Sequence, residues 1–287
     1  MAVTANDVKA LRADTGAGMM DCKKALGESG GDIEAAKKIL REKGLAAAGK
    51  RSGRSANEGL VEARVAPDGS LGVLVEVSCE TDFVAKGERF HALAGAVADV
   101  AFAAKGEIGA AEDAAISALI DDAQVDLQEK IEFKRATGFA AGDGGVVDAY
   151  LHKTGGWAKM GVLVEMAGEG LDAESLAGLA HDLALHIQFA RPSYLLRDEV
   201  DDKLIDAERE VAEAKARNEG KPDKIIERIV EGAVTKLFKD TVLLEQPYVR
   251  EDKKSVEQWL KGQSDGKGSV VRFARFEIGE DAGAEVA

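Results

Sequence analysis

Apolar and polar residues alternate along this chain with a period that changes several times. Over the first fifty residues apolar positions recur at helical spacing in three short runs. Thr4, with Asp7 three positions later, has the form of a capping box, and Val8 and Leu11 give the first helix its apolar face. Gly16 and Gly18 break that pattern. Met19, Met20, Ala25 and Leu26 mark a second helix, ended by Gly27 to Gly31. Asp32 caps a third, with Ile33, Ala36, Ile39 and Leu40 on one face. The polar, glycine-containing stretch from Lys50 to Ser55 predicts a linker. Beyond it the period shortens. Leu60 to Val65 and Leu71 to Val77 are dense in Val and Leu, and Pro67-Asp68-Gly69 between them is a turn signature, so an antiparallel pair of strands is expected. A helix should follow from about Phe83 to Ala104.

An internal echo organises the middle of the chain. Leu71-Gly72-Val73-Leu74-Val75-Glu76-Val77 returns as Met160-Gly161-Val162-Leu163-Val164-Glu165-Met166. Each copy leads, after a turn, into an Ala/Leu-rich helix, Phe90 to Phe102 and Leu176 to Phe189. Two related α+β subdomains are the simplest reading. From about Arg197 to Phe238 the chain is highly charged. Val200, Leu204, Ala207, Val211 and Ala214 form one stripe, and Ile225, Ile226, Ile229, Val230, Ala233, Val234 and Leu237 another. Gly220 and Pro222 between them supply a stop and a restart, which predicts an antiparallel helical hairpin or short coiled coil. The second stripe is wider than one partner helix needs. Val270 to Glu277 alternates as a closing strand. The fold class expected is therefore α+β, divided as 1–55 (three-helix module and linker), 56–140 (first core subdomain), 141–192 (first part of the second), 193–240 (helical hairpin) and 241–287 (last part of the second, with a tail).

Composition narrows the function classes. A hydrophobic fraction of 45% with 31% charged residues is that of a globular chain, and 5% aromatics leave the core to Ala, Val, Leu and Ile. The net charge of -14 argues against a nucleic-acid partner, because a duplex surface needs clustered Lys and Arg. The few cations from Lys43 to Arg54 read as a solvated stretch. Cys22 and Cys79 stand far apart and in no C-x-x-C pair, and no signal peptide is evident, which points to the cytoplasm. The longest apolar run, Ala92 to Ala104, carries Asp99 and is too short to span a bilayer.

No enzyme emerges from the motifs. Gly44, Gly49 and Lys50 have phosphate-loop spacing, but Arg51 stands where a Mg²⁺-ligating hydroxyl is needed, and a helix precedes them. Asp21 occupies the place of the third glycine of a dinucleotide fingerprint begun by Gly16 and Gly18. His91, His152, His181 and His186 have no metal-ligand spacing, and His181 and His186 fall on different faces of a helix. No catalytic residue, metal or cofactor is expected. Two segments remain. Met19 and Met20 cannot both face one small three-helix core, so at least one is available to a partner. Ser78 to Lys86 lies where a strand gives way to a helix. There, Thr81 or Asp82 caps the helix and Phe83 either seals the end of the sheet or points to a partner.

At these residues the chain resembles the bacterial elongation factor Ts family. Thr15 to Leu26 is similar to that family's first signature and Thr81 to Lys86 to its second. Gly220-Lys221-Pro222, Val230-Glu231-Gly232, Leu244 to Val249 and Arg272 to Gly279 continue the likeness in order along nearly the whole chain. The resemblance implies an N-terminal three-helix module of the ubiquitin-associated type, a two-part α+β core, and a hairpin that dimerises in some members, giving a homodimer or heterotetramer. It implies guanine-nucleotide exchange on elongation factor Tu, with release of GDP and later displacement by GTP and aminoacyl-tRNA. Thr81, Asp82, Phe83 and Val84 would then disturb the partner's Mg²⁺ site, with Phe83 inserted, and Arg12, Met19, Met20, Lys23 and His152 would touch its GTPase domain. Two departures stand out: extra residues from Lys153 to Trp157, and a short Glu280 to Ala287 without the family's C-terminal helical pattern. The reading from another class is a ubiquitin-associated-type adaptor without exchange activity, working through Met19 and Met20.

Overall fold

The capping box at the start of the chain forms: the Thr4 amide donates to Asp7 Oδ2 at 2.9 Å and the Asp7 amide to Thr4 Oγ1 at 3.2 Å. In the computed structural model, which describes residues 3–15, 17–51 and 53–280, this box opens α1 (Ala5–Thr15), followed by α2 (Met19–Glu28) and α3 (Ile33–Arg51). Val8, Leu11, Cys22, Ala25, Leu26, Ala36 and Leu40 close a small core of their own. The linker expected from Lys50 starts later, because α3 runs on to Arg51. Ala46 to Ala48 favour helix, and α3 gains a surface to lie on, α6 (Ala110–Leu127), an element absent from the expected set. Arg41 pairs with Asp122 at 2.9 Å across that contact.

The two echoed strands become the middle strands of two three-stranded antiparallel sheets. In the first, β1 (Glu58–Val65), β2 (Leu71–Cys79) and β3 (Ile131–Ala140) lie in the order β1-β2-β3. In the second, β4 (Val146–Thr154), β5 (Trp157–Gly168) and β8 (Gly268–Glu277) lie in the order β4-β5-β8. The pairing shifts register directly after Glu76 in β2 and directly after Glu165 in β5, the same place in both copies. The sheets meet through Val61, Leu74 and Phe139 from one and Val147, Leu163 and Phe276 from the other. Gly72 and Gly161 permit this approach. A Cβ on Gly72 would lie 2.5 Å from Val147 Cγ1, and one on Gly161 2.7 Å from Val61 Cγ1. Each outer face is covered by helices, the first by α5 (Glu88–Ala103) and α6, the second by α7 (Ala173–Ala190) and α10 (Val256–Gln263). The result is a helix/sheet/sheet/helix stack.

Charged residues cross between the halves in matching fashion. Arg135 on β3 bonds Glu76 at 2.8 Å and lays its guanidinium 4.2 Å from the Phe276 ring of the other sheet. Arg272 on β8 bonds Glu165 at 2.6 Å and lies 4.4 Å from Phe139 of the first sheet. The glutamate of each echo thus holds an arginine that stacks on the opposite half.

The single helix expected over Phe83 to Ala104 is two: α4 (Asp82–Ala85) and α5. Gly87 stands between them in an extended conformation, φ -75° and ψ 139°, and serves as the N-cap of α5, so Phe83 is separated from that helix's apolar face. Farther on, α8 (Asp202–Asn218) and α9 (Asp223–Thr241) pack on each other across residues 219–222. The α8 face differs from the expected stripe. Leu204 and Val211 are exposed and Ala212 and Ala216 are buried. The pair is rooted where Arg197 bonds Glu245 and stacks 4.5 Å from Phe238. A two-stranded ribbon, β6 (Pro247–Tyr248) and β7 (Glu251–Ser255), precedes α10.

Candidate functional site

Strand β2 ends at Cys79, and two residues later Thr81 sits extended at φ -127°, ψ 152° as the cap of α4. Its Oγ1 accepts the Val84 amide at 3.4 Å. Asp82 is not the cap. It is the first helical residue, and Lys86 Nζ donates to its carboxylate at 2.5 Å, which holds that carboxyl below its usual range. Ala85 is buried and Val84 half-buried against the core shared with α5 and α6. With those two turned inward, Phe83 is left 83% exposed. The reading in which Phe83 seals the sheet is therefore overturned, since Cys79, Ala85 and Phe90 fill that place. A phenyl ring left in water forgoes about 1.5–3 kcal/mol of burial.

The turn is tied down by a residue that no sequence motif singles out. Gln128, left-handed at φ 58°, ends α6, and Glu129 follows. Glu129 Oε2 accepts the amides of Glu80 at 3.1 Å and Thr81 at 3.0 Å, while Oε1 accepts the Thr81 hydroxyl at 2.5 Å. In return the Glu80 carboxylate accepts the Lys130 amide at 2.7 Å and Arg54 Nη1 at 3.1 Å, and the Lys130 amide is the first reason its carboxyl is held low. Lys130 Nζ donates to the Arg54 carbonyl at 2.9 Å, so the segment that leaves α3 joins the same knot. Spacing along the chain carries no trace of these pairings.

Beside α4 stands the β4–β5 turn, Gly155-Gly156, with φ of 71° and 100°. Two glycines with positive φ make the tight two-residue connection, a signal readable in the sequence and not used there. Lys86 Nζ reaches to 5.4 Å from the Trp157 ring, and Lys159 lowers the Asp82 carboxyl further, so this turn and α4 share one end of the molecule. His152 is exposed there, its Nδ1 3.1 Å from the Tyr150 hydroxyl, and with Trp157, Lys159 and Gln188 it lines a cleft. Phe189, next after Gln188, is 70% exposed. It lies off the face that buries His186 and Ile187.

The other expected contact residues belong to the three-helix module. Met19 is 53% and Met20 73% exposed, so both are available and not one alone. Cys22 turns inward and Lys23 outward on the same helix, and Arg12 is exposed on α1. Gly18 and Asp21, which flank the methionines, line a cleft with Gln128, the residue before Glu129. The start of α2 thus approaches the knot that holds α4.

Reactive chemistry is scarce. Burial, with Glu129 close by, pushes the Cys79 thiol up to about 12, far from a thiolate. Among the described residues no three His, Cys, Asp or Glu stand together as metal ligands, and no helix is long and apolar enough to cross a membrane.

A family model described as "Elongation factor TS" matches residues 80–280, a segment that opens on the Glu80 knot itself. The Elongation factor Ts of Nitratidesulfovibrio vulgaris (strain DP4) is 44% identical over 293 residues, covering 100% of this chain and 99% of that protein. That of Renibacterium salmoninarum is 47% identical over 284 residues, covering 96% and 98%. That of Acidothermus cellulolyticus is 45% identical over 285 residues, with the same coverage.

Proposed function

The chain belongs to the elongation factor Ts family, and on that premise we propose that it is a guanine-nucleotide exchange factor of translation elongation. It binds elongation factor Tu carrying GDP in the cytoplasm, disturbs the Mg²⁺ and phosphate site of that partner, and so promotes GDP release. It does this without covalent chemistry. The observation that carries the reading is Phe83, 83% exposed on a one-turn helix whose neighbours are anchored.

The physics is linkage. A partner that weakens GDP binding is itself weakened by GDP to the same factor, and a shift of about 10⁴ takes roughly 5.5 kcal/mol of differential binding. Burying one Phe gives about 1.5–3 kcal/mol, too little alone. Asp82 and Phe83 enter beside the Mg²⁺ site, and Thr81 and Val84 hold them there. Loss of the ion removes the charge that retains the phosphates. Further contact comes from Arg12, Met19, Met20 and Lys23 on a module of the ubiquitin-associated type, and from His152 at the β4–β5 end. The α8–α9 pair serves as a hairpin for self-association.

The test is release of labelled GDP from elongation factor Tu. Phe83→Ala should slow catalysed release at least about tenfold, a loss of ~1.4 kcal/mol, while thermal stability stays within about 0.5 kcal/mol, as for other surface changes. Near wild-type release would overturn the role of Phe83. It would favour instead the adaptor, which the exposed Met19 and Met20 suit.

A further inference from the structure

A helix of four residues cannot hold itself together, because the first turn fixes several dihedrals for little hydrogen bonding in return. Phe83, being exposed, adds nothing to its own placement. The C-terminal end of α4 is held by burial of Ala85. The N-terminal end has no such packing, and its order must come from polar bonds. Those bonds converge on one carboxylate: Glu129 takes the Glu80 amide, the Thr81 amide and the Thr81 hydroxyl, at 3.1, 3.0 and 2.5 Å. The hydroxyl it accepts belongs to the residue that caps the turn, at 3.4 Å from the Val84 amide. The neighbouring Arg54–Glu80–Lys130 bonds fix the two backbones relative to each other, so the carboxylate works from a rigid base.

We propose that Glu129 is the positioning residue for Phe83: it pre-orders the turn so that the ring enters the partner without an ordering cost at docking. This rests on the exchange reading above. Without the clamp, residues 80 and 81 sample other conformations, and the share of molecules presenting the ring correctly falls, which lowers the apparent activity by that share. Glutamine can replace the clamp. Its amide oxygen accepts the two backbone amides, and its NH₂ donates to the Thr81 hydroxyl in the reverse sense.

The experiment is GDP release from elongation factor Tu with the full chain, in the wild type, Glu129→Ala, Glu129→Gln, Phe83→Ala and the Glu129→Ala/Phe83→Ala pair. Chain concentrations are chosen to keep Phe83→Ala above the spontaneous rate. Glu129→Ala should lower release about tenfold or more, as expected for loss of bonds to a charged group. Glu129→Gln should stay within about threefold of wild type, the rescue expected when the hydrogen-bond pattern survives. In the Phe83→Ala background, Glu129→Ala should have almost no further effect, because two residues acting through one another are not additive. An unchanged rate in Glu129→Ala, or the same fall in both backgrounds, overturns the inference while leaving the exchange reading intact. Full exchange by Phe83→Ala overturns the reading itself. If Glu129→Ala fails to fold, Thr81→Val takes its place in the same cycle, removing the shared hydroxyl and leaving the carboxylate.

Discussion

His186 is buried in the second half with its ring already committed. The Val249 amide donates to Nδ1 at 3.2 Å, so Nε2 carries the proton and donates to Gln246 Oε1 at 3.0 Å. Tyr248 stacks on it at 5.6 Å and on Trp259 at 4.2 Å. Burial lowers the His186 pKa from its ordinary 6.5, because a charged ring out of water is costly, and the Gln246 bond offsets this only in part. A depressed histidine contributes its stability above the unfolded value and loses it as pH falls. Urea unfolding should therefore weaken from pH 7 to 5 with a slope of up to about 1.4 kcal/mol per unit from this group. His186→Asn should be less stable at pH 7 and show a shallower decline, checked by the same titration. Helix geometry alone separated His186 from His181, which sits at the surface 3.0 Å from Asp148. The same reasoning could not see that Gln246 also donates to the carbonyls of Ala190 and Asp240.

At the scale of elements, the close meeting of the two sheets is the point most open to test. Gly161→Ala would bring a methyl to 2.7 Å from Val61, 2.8 Å from Leu74 and 2.9 Å from Leu151. Overpacking of this kind costs about 1–3 kcal/mol, and the melting temperature should drop accordingly by calorimetry, while substitution at the open Gly178 should do far less. The strands and the echo were legible because dense runs of Val and Leu, the first two parted by a Pro-Asp-Gly turn, leave few alternatives. Helix α6 is as readable, with Ile116, Leu119, Ile120, Ala123 and Leu127 at helical spacing, yet it is absent from the expected elements. The α8 face departs from the expected stripe because periodicity follows large apolar residues, whereas the buried positions are Ala212 and Ala216. At the site, Phe83, Met19 and Met20 could be named from local chemistry, but Glu129 could not, because it follows the end of α6 while its partners lie at the β2–α4 junction, Glu80 being 49 residues back along the chain.

Across the whole molecule the two halves share a plan but not a chain path. The first sheet and its helices come from one unbroken stretch, β1 to β3, residues 58–140. The second sheet must wait for β8, residues 268–277, which follows α7, the α8–α9 pair and α10. During synthesis, then, the half that presents Phe83 has every strand of its sheet long before its counterpart does. In that interval β5 is a middle strand with one side bare, its Val162 to Met166 run unpaired on the β8 side, the kind of edge that recruits other strands. Nascent chains arrested before Gly268 should resist limited proteolysis over residues 58–140 and be cut within 146–190, and extension through Glu277 should protect both. Translation of the codons for Gly268 to Glu277 would then decide whether the second half folds or aggregates.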